Sequence, residues 1–438
     1  MRTMRIAEKL KGWMQAVMAV ALVSAVAACG GGGDSSNSNS NNGSGNNTST
    51  SLNGGSLPAS PTQQPIAATA ANTVPITVGR GVSGVINIPT VSVTLCAPGS
   101  TTNCQTIDNI QVDTGSFGLR LVSSVVNTSV LGALPVSTVN GSQLAECATF
   151  ADGFTWGTVR TATVTIGGET TTAAIPLQII GDKDASTVPS SGCGSGSAEN
   201  TVSDLGANGI LGIGTAPTDC GATCANAATA VNYSNYFACP GGVSCARATV
   251  PLAQQVANPV ANFPVDNNGV IVQMPPVADT GAASATGTLV FGIGTQSNNA
   301  LAAAQTFTTD AFGDLNNSVF NGTTVQAFLD SGSNGYFFAD SSLTLCGSNF
   351  SGFYCPSSAQ TRSITLVGLN NVQTTANIGI LSASTLFGSG NNYAYNDLAG
   401  QIGSSSAFDL GLPFFYGRHV YHGFDKRTNG GQAPYVAF

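Results

Sequence analysis

The sequence predicts an all-β protein built from two related lobes, and three observations carry that prediction. First, an apolar run that ends in Asp, a hydroxyl residue, Gly and Ser occurs twice. It appears as Gln111-Val112-Asp113-Thr114-Gly115-Ser116 and again, 217 residues on, as Phe328-Leu329-Asp330-Ser331-Gly332-Ser333. Second, short alternating runs such as Thr161-Ala162-Thr163-Val164-Thr165-Ile166 and Val85-Ile86-Asn87-Ile88 read as strands separated by turns, with no sustained 3.6-residue periodicity outside the N-terminal leader. Third, 438 residues that are 42% apolar and 8% charged suffice for two cores of useful size.

Taken in order, residues 1–28 place Arg2, Arg5, Lys9 and Lys11 before an apolar stretch from Trp13 to Ala28, the pattern of a secretory signal. That stretch is shorter than the roughly 20 apolar residues a membrane helix needs and is interrupted by Gln15. Val26-Ala27-Ala28-Cys29 resembles a bacterial lipobox, which implies that Cys29 becomes an acylated N-terminus held in a lipid membrane. Gly30 after it, rather than Asp, implies sorting to the outer membrane of a bacterial cell envelope. Removing the leader leaves 9 of the 13 basic residues and 20 of the 21 acidic ones, a formal charge of −11, which excludes nucleic acid as a partner.

Residues 29–72 read as a flexible tether. Gly30 to Ser56 is almost wholly Gly, Ser, Asn and Thr and has nothing with which to build a core. Leu57 to Asn72 continues it with Pro and Ala, too short and too poor in Lys for a basic pro-segment. The two lobes are then expected at 73–250 and 251–438.

Of the 11 cysteines, ten remain after Cys29, and an even number in an exported chain points to disulfides. Pairing neighbours gives 96 with 104, 147 with 193, 220 with 224, 239 with 245 and 346 with 355, one connectivity among those the spacing permits. No metal is expected, since there is no Cys-x-x-Cys and both histidines, His419 and His422, fall near the C-terminus. No cofactor is expected either: Gly292-Ile293-Gly294 lacks the third Gly and the following helix of a dinucleotide loop.

A strand that stops at an acid, followed by a Gly that allows a tight turn, presents one carboxylate at a loop end. Duplicated lobes would bring two such acids to one axis. Two carboxylates a few ångströms apart cannot both ionise at ordinary cost, so one proton is shared and the pair acts as base and acid together.

These residues resemble the pepsin-like aspartic peptidases, in which that pairing is established chemistry. Asn208-Gly209-Ile210-Leu211-Gly212-Ile213-Gly214 is similar to the Gly strand that threads the family's first-lobe ψ-shaped loop. Phe408-Asp409-Leu410-Gly411-Leu412-Pro413-Phe414-Phe415 is similar to its second-lobe partner. Gly287 to Gly294 resembles the strand that opens the second lobe, and Tyr416 to Asp425 the closing aromatic hairpin.

The resemblance implies a bilobal pepsin-like fold with a cleft between two related β lobes, Asp113 and Asp330 holding an attacking water. Thr114 and Ser331 would then donate across the lobe boundary to backbone, while Ser116 and Ser333 hydrogen-bond the outer carboxylate oxygens. Gly115 and Gly332 would let backbone N–H groups approach the acids. Phe150-Ala151-Asp152-Gly153 resembles the turn of the flap hairpin over substrate, with Trp156 as a further N–H donor or a core aromatic.

Three positions depart from the family. Phe150 replaces the usual Tyr, removing a hydrogen bond worth on the order of 1 kcal/mol. Phe117 stands where a second Ser is usual, and Arg120 falls where a Trp braces the flap. The implied activity is a monomeric endopeptidase acting on peptide or unfolded protein at acidic pH. The alternative is an envelope lipoprotein of the same fold that binds peptide or protein partners without cutting them. A serine nucleophile is disfavoured by the lack of a Gly-x-Ser-x-Gly elbow.

Overall fold

The computed structural model describes residues 56–193 and 196–438. The signal segment, Cys29 and most of the tether lie outside the described residues. Strands dominate throughout, joined by short helices of at most seven residues among those described.

Alternating β-branched residues build each lobe around a hairpin that ends in an acid. In the first, Pro89–Cys96 pairs antiparallel with Cys104–Asp113, burying Val91, Val93, Leu95, Ile107, Ile110 and Val112 on one core. The short strand Gly209–Ile213 then inserts between Cys104–Asp113, to which it is parallel, and Phe117–Val122, to which it is antiparallel. In the second lobe Ala407–Leu410 inserts in the same way, parallel to Thr323–Leu329 and antiparallel to Tyr336–Phe338. This repeated arrangement is the bilobal pepsin-like setting that the resemblance implied.

A run of antiparallel strands joins the lobes from behind. Thr73–Val78 pairs on one side with Pro89–Cys96 and on the other with Ala285–Phe291, which continues through Gly269–Gln273 and His419–Gly423 to Tyr435–Ala437. The strand read as opening the second lobe is thus hydrogen-bonded to the first strand of the first. Among the described residues five disulfides join neighbouring cysteines: Cys96–Cys104, Cys147–Cys193, Cys220–Cys224, Cys239–Cys245 and Cys346–Cys355.

One expectation is corrected here. Composition extends the flexible tether to residue 72, yet residues 57–72 are strapped to the body of the protein. Gln63 N donates to Gly417 O at 2.9 Å and Ile66 N to Gln273 Oε1 at 2.9 Å. Thr288 Oγ1 donates to Ile66 O at 2.6 Å, and buried Asn72 donates to Phe291 O at 3.1 Å. A Pro-rich segment has few N–H groups to satisfy and is already extended, so it can be laid on a surface with few hydrogen bonds.

Candidate active site

Each inserted Gly strand holds one acid at the floor of the cleft. Gly212 lies opposite Asp113, and Asp330 N donates to Leu410 O at 3.0 Å. The turns after the acids aim amides back at them: Gly115 N donates to Asp113 Oδ1 at 2.7 Å and Gly332 N to Asp330 Oδ1 at 2.8 Å. Ser116 Oγ makes a short hydrogen bond to Asp113 Oδ2, and Ser333 Oγ lies 3.3 Å from Asp330 Oδ2.

The two carboxyl groups hydrogen-bond to each other. Burial first, and then the neighbouring Asp330 charge, push the Asp113 carboxyl up to about 7, against the opposing hydrogen bond from Ser116. One proton therefore stays on the pair through the acidic range.

Across the lobe boundary the hydroxyl residues exchange hydrogen bonds. Thr114 Oγ1 donates to Leu329 O at 2.9 Å and accepts from Ser331 N at 2.9 Å. Ser331 Oγ donates to Val112 O at 2.7 Å and accepts from Thr114 N at 3.1 Å. Each hydroxyl thus uses its donor and one acceptor site, which is why Ser or Thr suits both positions. Gln111 Nε2 adds a bond to Gly332 O at 2.8 Å.

Glycine is required at the turns because each packs against the opposite acid. A Cβ on Gly332 would sit 2.6 Å from Asp113 Oδ1, and one on Gly115 would overlap the Asp330 carboxylate. Gly332→Ala is expected to separate the carboxyls and lower any dyad-dependent turnover by about 100-fold, with little change in the unfolding midpoint. An unchanged turnover in a folded Gly332→Ala protein would contradict this packing.

The open cleft around the dyad has a cavity volume of about 210 Å³ and is lined by apolar Ile210, Phe328 and Phe337 and by further acids. Ser142–Thr149 and Gly153–Ile166 form the hairpin above it, closed by the bond from Phe150 N to Gly153 O at 2.7 Å. Phe150, Ala151 and Asp152 line the cleft at the turn.

Trp156 does not. Its ring is fully buried edge-on to Phe237 at 5.6 Å, and its Nε1 donates to Thr187 Oγ1 at 3.0 Å. Its N–H is already taken, so the reading of Trp156 as a cleft donor is replaced by that of a core aromatic.

Arg120 takes up part of the missing brace. Its guanidinium lies over the Phe150 ring, 5.9 Å from the centroid. It is held from behind by Glu146 Oε1 at 2.5 Å, Asp219 Oδ2 at 3.3 Å and Phe117 O at 2.8 Å, with Arg120 only 3% exposed. Asp219 in turn accepts from Asn235 Nδ2 at 2.7 Å and from the Tyr236 hydroxyl in a short bond.

The sequence reading missed two cleft acids. Glu199 arrives through the parallel pairing of Ser197–Ala198 with Gly153–Phe154, and hydrogen-bonds Asp152. Burial first, and the Asp152 charge second, push its carboxyl up to about 9. It sits in a polar loop without any pattern to mark it. Asp409 also lines the cleft, and an acid inside the apolar run of a Gly strand was a visible signal.

Comparison with known proteins adds a family. Residues 68–438 match the model of the family described as "Protein of unknown function (DUF3443)". No curated protein matches the chain. Among solved structures, the chain is similar to the aspartic proteinase from Irpex lacteus at 17% identity, with a TM-score of 0.48 over 84% of this chain and 97% of that one.

Proposed function

The chain belongs to the DUF3443 family, whose description states no activity, and from its own geometry we propose that it is an aspartic endopeptidase. The observation that supports this best is the facing pair of Asp113 and Asp330, hydrogen-bonded to each other and fixed from both lobes by the Thr114–Ser331 exchange. A water held between the acids attacks the scissile carbonyl carbon. Asp330 takes a proton from the water while Asp113 gives its proton to the carbonyl oxygen, producing a tetrahedral diol with no covalent bond to the protein. Proton return to the leaving nitrogen then breaks the C–N bond.

Substrate is an extended peptide or unfolded protein lying under the Phe150–Gly153 turn, with apolar side chains against Ile210, Phe328 and Phe337. The monomeric domain is tethered through acylated Cys29 to the outer membrane of a bacterial envelope, a placement supported by the lipobox-like Val26–Cys29.

The test is cleavage of a denatured protein by the full-length chain between pH 3 and 8, with and without a peptide carrying a hydroxyl group in place of the scissile amide. Cleavage that the hydroxyl peptide blocks is expected. Because the Asp113 carboxyl is raised to about 7, its proton is present below that pH and lost above it, so cleavage should fall as pH rises through about 7. A folded protein that neither cuts nor binds the hydroxyl peptide would overturn the reading and leave the cleft as a binding site.

A further inference from the structure

The two acid loops are duplicates in backbone but differ in what their second serine faces. Ser116 Oγ is committed to Asp113 Oδ2. Ser333 Oγ stands between two carboxylates, 2.6 Å from Asp409 Oδ2 and 3.3 Å from Asp330 Oδ2. A hydroxyl has one proton to donate, so Ser333 cannot serve both.

Asp409 owes this position to the fold. It lies two residues before Gly411 and opposite Phe328, as Ile210 lies two before Gly212 and opposite Gln111. The pseudo-symmetric place that is aliphatic in the first lobe is therefore a carboxylate in the second, 5% exposed and at the cleft wall. Phe328 and Phe337 are its neighbours on the flanking strands. The titratable groups that share the cleft with it are Asp330 and Asp113 on the loops and Asp152 and Glu199 beside the hairpin turn. Among the described residues no Lys, Arg or His lines that cleft.

We infer that Asp409 is a positioning residue which, through Ser333, sets how tightly the Asp113–Asp330 pair holds its shared proton. With Asp409 ionised, the Ser333 proton points to Asp409 and the outer oxygen of Asp330 loses its donor. The Asp409 charge also opposes a second negative charge on the dyad. Both effects make the pair hold its proton to higher pH. With an uncharged donor in place of Asp409, Ser333 turns its proton to Asp330, the ionised form is stabilised, and the pair gives up its proton at lower pH. Asp409 thereby extends the working range of the dyad toward neutrality. The kinetic consequence rests on the peptidase reading, whereas the protonation consequence does not.

The experiment is a pH titration of the full-length protein labelled with 13C at aspartate Cγ, with the dyad resonances assigned by their loss in Asp113→Asn and Asp330→Asn. In Asp409→Asn the shared ionisation is expected about one pH unit lower than in the parent. Asp409→Leu, which removes charge and hydrogen bond together, should move it in the same direction and covers the case in which the Asn variant folds poorly. In a Ser333→Ala background the Asp409→Asn shift should shrink, because only the direct charge effect remains. The upper limb of any cleavage profile should move to lower pH by a matching amount. Dyad titrations that superimpose in parent, Asn and Leu proteins would overturn the inference, as would a pH-independent loss of cleavage with no change in titration. If the parent cuts nothing, the peptidase reading fails while the titration still decides the role of Asp409.

Discussion

Replacing Asp113 or Asp330 by Asn is expected to lower cleavage by at least about 10³-fold while leaving the protein folded. The amide keeps an oxygen for the Gly115 or Gly332 N–H, so the loop geometry survives, but it can neither take the proton from water nor return one. Because the two acids act as one proton-sharing unit, the double variant should be no slower than the slower single one. Specific activity of purified parent and variants on an unfolded substrate decides this, and a folded Asn variant retaining a tenth of parental activity would contradict the dyad.

Stability should move the other way. The raised Asp113 carboxyl favours the folded state while it is protonated, and that contribution is lost as pH rises from the unfolded value of 3.8 through about 7. Asp113→Asn removes this loss. Its thermal midpoint relative to the parent is therefore expected to be higher at pH 8 than at pH 4.

Arg120→Met is expected to destabilise the protein by about 3–5 kcal/mol, the cost of leaving buried acids without their cation. Glu146 is fully buried, and its carboxyl is pushed up by burial even with Arg120 beside it, because one guanidinium faces both Glu146 and Asp219. Methionine fills the volume and supplies no charge. Arg120→Lys keeps a charge but lacks the planar fork that reaches Phe117 O and Glu146 while lying over Phe150, so an intermediate loss is expected. Urea unfolding with an unchanged slope is the measurement, and a loss under about 1 kcal/mol would show that the network contributes little.

Two of the positions that depart from the pepsin-like pattern are in contact. Phe150 lacks the hydroxyl of the usual Tyr and Arg120 stands where the Trp is expected, yet the two meet. A charged brace anchored by Glu146 and Asp219 stands where an aromatic one would be. From the sequence the two positions read as a joint loss with no replacement, because neither Glu146 nor Asp219 is within 25 residues of Arg120.

The sequence by itself determined the organisation of the chain. The duplicated Asp loops and their Gly strands were legible because each is a local solution to one problem, ending a strand at an acid and turning sharply, and local solutions leave contiguous residues as their trace. Spacing left the cysteine connectivity open, and the structure shows the neighbour pairing, with partners four to nine residues apart in four bridges and 46 apart in Cys147–Cys193.

Only the tertiary structure decided what lies across from what. The docking of residues 57–72, the turning of Trp156 into the core, the placing of Glu199 under the hairpin and the position of Asp409 beside Ser333 depend on partners 31 to 356 residues away. Burial, hydrogen-bond competition and the sharing of protons between acids are set by that three-dimensional company. Composition and spacing carry almost no record of it.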